Sequence, residues 1–595
     1  MAKKWVTSNM MGGRGRSHYR GTLYSAYARV SEAQKDLFAK CTAGANVESP
    51  RSGMRAESVI GVLIEEVSPS RVTSSLTTFS LTQSLKMAVS LPPLLLLPLL
   101  PWLLLSIYAY RLRSANRLRR SLVLAGLGLP PSVTTRLVGF FHPYCNAGGG
   151  GERVLWTAVA ALQRTEPDVV SVIYSGDTDA AQAEILAKVK ARFDITLDPS
   201  TLHFVFLGSR WMVEESTWPR FTILGQSIGS MYLAWEAMSK LIPDLYIDTM
   251  GYAFTFHVVS FIGRIPVGAY VHYPTISTDM LARVKSRKKW HTNPDTVSSS
   301  AVLSKGKLLY YRIFMYYYAR SLRMARFLMV NSSWTKSHVD AILQHSDSLL
   351  DILHTLPPLL FLRAYNAGLT SAQIVYPPCD TREMAQFSLQ DREPIIMSVA
   401  QFRPEKDHAA QVRAFERLLK TFPEHGASQR GQAGVKLVLL GGSRNAEDAA
   451  RVEGLRQLAK DLGIEAHVRF IVNAPYPDML RWLSKASIGM NTMVDEHFGI
   501  NVVEYMAAGV IPVVHASGGP LRDIVVPFNG ELTGYHAETP ETFAEALHVA
   551  LTLSSADDLA MRRRARTWAV QRFSEEEFER GWHASGWREC LFRDQ

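Results

Sequence analysis

Short apolar runs recur along this chain, each followed by a stretch of helical period, and after one full set the pattern begins again. Leu137–Phe141 leads into the loop HPYCNAGGGG and then a helix expected from Glu152, with Val154, Leu155, Ala158 and Leu162 on one face. Strand, glycine loop, helix is the βα unit of a doubly wound sheet. Further short apolar strands are expected over 169–174, 202–207, 245–248, 267–271 and 327–330. A second set starts at 395–399 and continues over 437–440, 468–471, 488–490 and 511–514. The fold class this predicts is α/β, with two parallel-sheet, Rossmann-like domains joined near Val375-Tyr376-Pro377-Pro378. A cleft between two such domains is the default place for a ligand.

Near the end of the second set lies DEHFGINVVEYMAAGVIPVVHASGGP, residues 495–520. It places Glu496 in a loop and Glu504 in a short helix expected over 501–508, with Gly509 at its C-terminal cap and a buried strand directly after. Free N–H groups at the start of that helix, from Gly499 to Asn501, suit an anion such as a diphosphate. A capped helix with a solvated acid fits the spacing equally well, so the stretch alone does not decide. In the first half Gly148, Gly149 and Gly150 stand after a strand and before a helix, where backbone can approach a phosphate without a Cβ in the way.

With 595 residues, 47% of them apolar, the chain has material for two or three cores. Its net charge of +11 is localised: residues 1–120 hold 17 Lys/Arg against 6 Asp/Glu, an excess equal to that of the whole chain. The folded halves are therefore neutral on balance, which argues against a nucleic-acid partner. Cys41, Cys145, Cys379 and Cys590 are scattered, without the spacing of a zinc site or a disulfide framework, as free thiols in a reducing compartment would be.

Residues 88–110 run 23 positions without a charge, about 35 Å as a helix against roughly 30 Å of hydrocarbon. Pro92, Pro93, Pro98 and Pro101 interrupt the run, and transmembrane helices tolerate such breaks better than soluble ones. RLRSANRLRR follows at once, so the positive-inside rule puts everything from Arg111 onward in the cytosol. Residues 1–86 show no periodicity and are expected to be disordered. The sequon Asn331-Ser332-Ser333 would matter only on the luminal side. Three stretches keep two readings each. Residues 346–373 are a membrane-touching loop or a packed insertion. Residues 312–326 are a packed helix or a membrane contact. The basic run 283–289 is a solvated charge run or a site for a diphosphate or anionic head groups.

Glu496-x7-Glu504 with FGINVVE between them, and a Gly-Gly after the next strand, resembles the signature of retaining glycosyltransferases of the two-Rossmann-domain (GT-B) type. HPYCNAGGGGERVLW, VHYPTISTDM, VNSSWTKSHV, VYPPCDT and SVAQFRPEKDH occur in order around it and are similar to the dolichol-pathway mannosyltransferases of that type, over roughly 136–582. The resemblance implies transfer of a fourth and a fifth mannose from GDP-mannose, in α-1,2 linkage and with retention, to a dolichyl-diphosphate oligosaccharide. It implies the cytosolic face of the endoplasmic reticulum membrane, other mannosyltransferases of the pathway as partners, and neither metal nor cofactor.

The same resemblance assigns roles residue by residue. Glu504 would accept from the nucleotide ribose hydroxyls, and Glu496, with His272, would face the transferred mannose. Arg403 and Lys406 would neutralise the departing diphosphate, beside donor contacts from Phe498, Gly499, Ile500 and Asn501 and from Gly148, Gly149 and Gly150. The family usually places its arginine right after a glycine, whereas this chain has Ala400-Gln401 there and the arginine two residues later. Retention through a covalent intermediate and retention by front-face departure both fit. The organisation expected is a disordered extension over 1–86 and an anchor over 87–112, then an acceptor-side domain over 136–374, a donor domain over 375–572, and a C-terminal helix over 573–595 packed back on the first domain.

Overall fold

The computed structural model describes residues 100–130, 135–277, 280, 301–354, 369–426 and 434–592. Their first sheet is built from β1 (Leu137–Phe141), β2 (Val170–Ser175), β3 (Leu202–Phe206), β4 (Leu245–Asp248), β5 (Val267–Val271), β6 (Phe327–Val330) and β7 (Gln373–Ile374). Its spatial order is β3-β2-β1-β4-β5-β6-β7, and every pairing is parallel, with Val138 opposite Ser171 on one side and Leu245 on the other. The second sheet comprises β8 (Glu393–Val399), β9 (Lys436–Gly441), β10 (Val468–Val472), β11 (Ala486–Asn491), β12 (Ile511–His515) and β13 (Tyr535–Ala537). Its order, β10-β9-β8-β11-β12-β13, repeats the winding of the first. In both, the chain reverses direction between the first and fourth strands, the switch point where such sheets bind ligands.

The central strands are uniformly apolar because helices cover both faces: all five residues of β1 and β5 are buried. Two strands escaped the sequence pattern, β7 with two residues and β13 with three, both too short to show a period.

Several helices position the site. α1 spans Leu100–Gly126, α2 Gly150–Thr165, α3 Thr222–Lys240, α4 Ala301–Leu322, α5 Ser333–Leu343, α6 Ile500–Ala508, α7 Glu575–His583 and α8 Trp587–Leu591. Gly150 and Gly151, expected in the loop, form the first turn of α2, and the Glu152 carboxylate accepts from the Gly149 N–H at 2.7 Å to close that turn.

After Ser574 the chain returns to the first domain as two helices rather than one. Phe578, Trp582, Trp587 and Leu591 join its core, Trp582 stacks on Phe140 at 6.3 Å, and Arg588 pairs with Glu166 at 2.6 Å. Much of residues 312–326 is a packed helix: Phe314, Met315, Tyr318 and Leu322 of α4 are buried.

Among the described residues no helix is long and apolar enough to cross a membrane. Residues 88–99 of the expected span, the extension 1–86, the basic run 283–289 and residues 355–368 of the 346–373 stretch lie outside the described residues. The basic segment after the span does more than flank it. Arg113 donates to the Ile262 carbonyl at 2.8 Å, Asn116 exchanges hydrogen bonds with the backbone of Ile242, and Arg120 pairs with Asp244 at 2.8 Å. These contacts tie α1 to the first domain.

Candidate active site

The loops that follow β1, β5, β8 and β11 meet at the facing switch points and enclose two adjoining cavities. The larger, about 450 Å³, lies between Gly148, Gly149, Arg153 and Arg192 of the first domain and Asn473, Tyr476 and Glu504 of the second. The smaller, about 290 Å³, lies between Gly151, His272 and Asn331 on one side and Lys406, Glu496 and His497 on the other. Gly150, Val399, Ala400, Ile500 and Asn501 border both.

The shared boundary is the N-terminus of α6. Gly499, at φ 108°, turns the chain into that helix in a conformation that favours glycine, and the first N–H groups of a helix have no partner within it. Gly150 approaches from the opposite wall, where a Cβ would lie 2.6 Å from Ile500 Cδ1, the flexible end of a side chain. Backbone amides and a helix dipole therefore face the junction of the two cavities, an arrangement suited to a diphosphate.

Glu496 is buried, and its carboxylate meets Lys406 Nζ at 2.6 Å. Burial works against its charge, but the Lys406 ammonium outweighs that and holds Glu496 below the ordinary carboxylate range. The Gly-Gly step of the 495–520 stretch explains how the loop is held. The Gly519 N–H donates to the Glu496 carbonyl at 2.7 Å, and a Cβ on Gly518 would lie 2.2 Å from that same oxygen.

Glu504 sits on the first turns of α6, partly open to the larger cavity. Burial raises its pKa to about 7, with Arg153 working in the opposite direction. Arg153 itself, nearly buried, pairs with Asp380 at 3.4 Å and Glu575 at 3.9 Å, and Tyr476 donates to the same Asp380 carboxylate at 3.2 Å.

On the first domain's wall, His272 is kept neutral, its pKa lowered to about 4 chiefly by burial. Its Nε2 lies 3.1 Å from the Thr249 carbonyl, which can only accept, so Nε2 carries the proton and Nδ1 is left as an acceptor. His142, unmarked in the sequence, is buried behind it with Nδ1 2.8 Å from Thr249 Oγ1. Asn331 is buried and donates to the His272 carbonyl at 2.9 Å, so the sequon's amide is committed inside the fold.

Of the expected donor contacts, Arg403 stands apart from both cavities and lies 3.6 Å from Glu405. Phe498 borders the smaller cavity, yet its side chain is buried in the core against Tyr376 and Phe573. Sequence reasoning missed Arg153, Asp380 and Tyr476, and missed the contacts that hold the walls together. The Ser333 N–H and hydroxyl donate to Asp523 at 3.0 Å, the Tyr376 hydroxyl donates to it at 2.9 Å, and the Ser332 hydroxyl donates to the His497 carbonyl at 2.5 Å. Their signal was present in VNSSWTKSHV and VYPPCDT, but only the fold gives those motifs a partner. Among the described residues Glu424, His425 and His548 also come within reach of one another, on a turn and a helix 123 positions apart and lining neither cavity.

Comparison with known proteins agrees with this geometry half by half. Residues 135–343 match the family described as the ALG11 mannosyltransferase N-terminus, and residues 380–568 match glycosyl transferases group 1. The GDP-Man:Man(3)GlcNAc(2)-PP-Dol alpha-1,2-mannosyltransferase of Homo sapiens is 45% identical over 448 residues, covering 74% of this chain and 85% of the human protein. That of Mus musculus is 44% identical over 447 residues, with the same coverage. Among solved structures, an alpha,alpha-trehalose 6-phosphate synthase from Burkholderia multivorans superposes with a TM-score of 0.53 at 16% identity, over 78% of this chain and 100% of that one. At that identity the likeness speaks for the two-domain fold alone.

Proposed function

The chain belongs to the family of the GDP-Man:Man(3)GlcNAc(2)-PP-Dol alpha-1,2-mannosyltransferases, and on that premise we propose that its cleft transfers mannose from GDP-mannose to a dolichyl-diphosphate-linked oligosaccharide. The transfer is in α-1,2 linkage, with retention, and supplies the fourth and fifth mannose. The observation that carries this reading is the order of the two cavities: a carboxylate in the larger, a helix N-terminus at the junction, and a lysine–glutamate pair in the smaller. That is the order of nucleoside, diphosphate and sugar in the donor.

In this reading the ionised Glu504 accepts from the ribose hydroxyls. The amides that open α6, with Gly149 and Gly150 opposite, hold the diphosphate. Lys406 moves from Glu496 to the phosphate as charge accumulates on the leaving group, the change that fixed cations stabilise best. Arg403 supplies a second cation from the outer side once it turns from Glu405. Glu496, released from Lys406, faces the mannose, and the His272 imidazole, kept neutral, accepts from a sugar hydroxyl. The reading gives the neutralisation of the leaving group to side chains and a helix end, and includes no metal or cofactor.

The same proposal sets the domains on the cytosolic face of the endoplasmic reticulum, held by a span over residues 88–110 and near other mannosyltransferases of the pathway. The five arginines within 111–120 support that orientation. So does the buried Asn331 amide, where a glycan would have no room.

The test is transfer by the purified full chain from radiolabelled GDP-mannose to a synthetic lipid-linked Man3GlcNAc2 diphosphate. The expected product gains label that an α-1,2-specific mannosidase removes. Release of GDP without acceptor, or equal transfer from a UDP-sugar, would overturn the assignment.

A further inference from the structure

The loop that carries Glu496 is held by both domains, and the residue the first domain grips is its neighbour, His497. The His497 ring lies 4.0 Å from that of Tyr273, with the planes 15° apart, and 5.4 Å from that of Trp334, with the planes 22° apart. Tyr273 and Trp334 are themselves nearly parallel, 11° apart at 6.0 Å. Near-parallel, offset rings are an arrangement that aromatic quadrupoles favour. Both partners belong to the first domain: Tyr273 follows His272 at the end of β5, and Trp334 stands in the first turn of α5.

The backbone of His497 is held from the same side, its carbonyl accepting from the hydroxyl of Ser332, the cap of α5. Trp334 is a firm platform, buried and braced edge-on by His338 at 4.2 Å. The two residues before His497 are held instead by their own domain. The Asp495 N–H donates to the Ser517 hydroxyl at 2.7 Å, and the Glu496 carbonyl accepts from the Gly519 N–H at 2.7 Å. One turn of chain is thus tied to the second domain at 495 and 496 and to the first at 497.

The tie matters because of the lysine. In the proposed reaction Lys406 leaves Glu496 for the departing diphosphate, so the carboxylate loses its nearest charged partner at the moment it must face the sugar. Its aim then depends on how the loop beneath it is held.

We propose that His497 is the positioning residue of Glu496: stacked on Tyr273 and Trp334, it carries the placement of the first domain's wall into the loop and so aims the carboxylate at the transferred sugar. His497 acts through Glu496 and not on the substrate. This role deepens the transferase reading, on which only the rate measurements depend.

Burial lowers the His497 pKa to about 4, so the stacked ring is a neutral imidazole, and the flat apolar ring of phenylalanine can take its place. His497 also borders the smaller cavity, where a direct hydrogen bond to the sugar is the rival role. Glutamine keeps a polar group without an aromatic face. The two substitutions therefore separate the roles.

The full chain and its His497→Phe, His497→Gln, His497→Ala and Tyr273→Leu variants are compared by turnover of GDP-mannose with lipid-linked acceptor, by titration with GDP, and by hydrogen exchange over residues 493–500. His497→Ala and His497→Gln should each lower kcat about 10–100-fold, the cost of a misaimed group, with GDP affinity within about twofold of the wild type. His497→Phe should stay within about threefold of the wild-type rate, because it restores the stack. Tyr273→Leu should lose about as much as His497→Ala, and the double variant no more than either, since both break one contact. Exchange over 493–500 should quicken in the alanine, glutamine and Tyr273→Leu variants and stay slow in His497→Phe.

A glutamine variant that works where phenylalanine fails would assign His497 to the sugar and overturn the proposal. Additive losses in the double variant, or GDP affinity falling in step with the rate, would overturn it too. So would unchanged exchange in His497→Ala, whatever the activity. If the exchange pattern is as expected but the wild type transfers no mannose, the transferase reading fails and the hold of the first domain on the loop stands.

Discussion

The two walls of the cleft are built in different ways. The second domain contributes Glu496, Gly499, Ile500, Asn501 and Glu504 from a single βα connection, nine consecutive positions that end one loop and begin one helix, and adds Lys406, Asn473 and Tyr476 from other loops. The first domain contributes Gly148 to Gly150, Arg153, His272 and Asn331 from the ends of three different strands and one helix, spread over more than 180 positions. Where one turn supplies most of a wall's groups, that part keeps its chemistry in local sequence, where spacing orders the groups. A wall made by several strands exists only after the sheet has formed, so its parts carry no mutual spacing. The donor wall is therefore held by its own helix cap and the Gly518-Gly519 step, and the opposite wall depends on contacts between domains.

The sharpest way to break this contrast is at Lys406. Lys406→Ala removes the cation nearest the smaller cavity and leaves Glu496 buried without its partner. Turnover is expected to fall about 10²–10³-fold, the usual cost of one group that stabilises developing charge. Single-turnover rates and calorimetric melting separate the two effects, and an unchanged rate would show that the pair is structural.

The next effect is one of pH. Because the Glu504 pKa is raised to about 7 by burial, the carboxylate is ionised above that pH and protonated below it. Only the ionised form accepts from both ribose hydroxyls. Donor affinity should weaken as pH falls through 7, by up to about tenfold per unit once protonation dominates, and should be flat over the same range in Glu504→Gln. A wild-type profile as flat as the variant's would detach Glu504 from the donor.

On the first wall the expected effects are smaller and fall on stability. Asp523→Ala removes the acceptor for Ser333 and Tyr376. It should lower stability by about 1–3 kcal/mol, the cost of leaving buried donors unsatisfied, with GDP affinity unchanged when titrated. Gly150→Ala is the mildest. The added Cβ meets only the end of the Ile500 side chain, which can turn aside, so kcat/KM should fall by a few-fold and melting should shift little.

How much the sequence disclosed follows the same division. The alternation of apolar runs located eleven strands to within about two residues and implied two domains, because buried parallel strands are apolar on both faces. It could not find β7 or β13, which are too short for a period. In the site, Glu496, Lys406 and Glu504 were legible from motif spacing and resemblance. Arg153, which lies in the same GGGGERVLW run, was not, since nothing local distinguishes a helix arginine that faces Asp380 from one that faces water. Phe498, which the motif suggested as a donor contact, borders the smaller cavity, and its ring, packed against Tyr376 and Phe573, also anchors the loop in the core. The basic segment at 111–120 was read only as a membrane flank because its partners, Ile242, Asp244 and Ile262, lie more than 120 positions away.

The division of labour between the two glutamates is the centre of the account, and calorimetric titration of GDP into Glu504→Ala and Glu496→Ala tests it directly. The account predicts that Glu504→Ala weakens GDP binding by about 1.5–3 kcal/mol for each ribose hydrogen bond lost, while Glu496→Ala binds GDP nearly as the wild type does and loses turnover instead. Equal loss of GDP affinity in both variants would contradict it, because the two carboxylates, set in different cavities on either side of one helix N-terminus, would then be serving the same end of the donor.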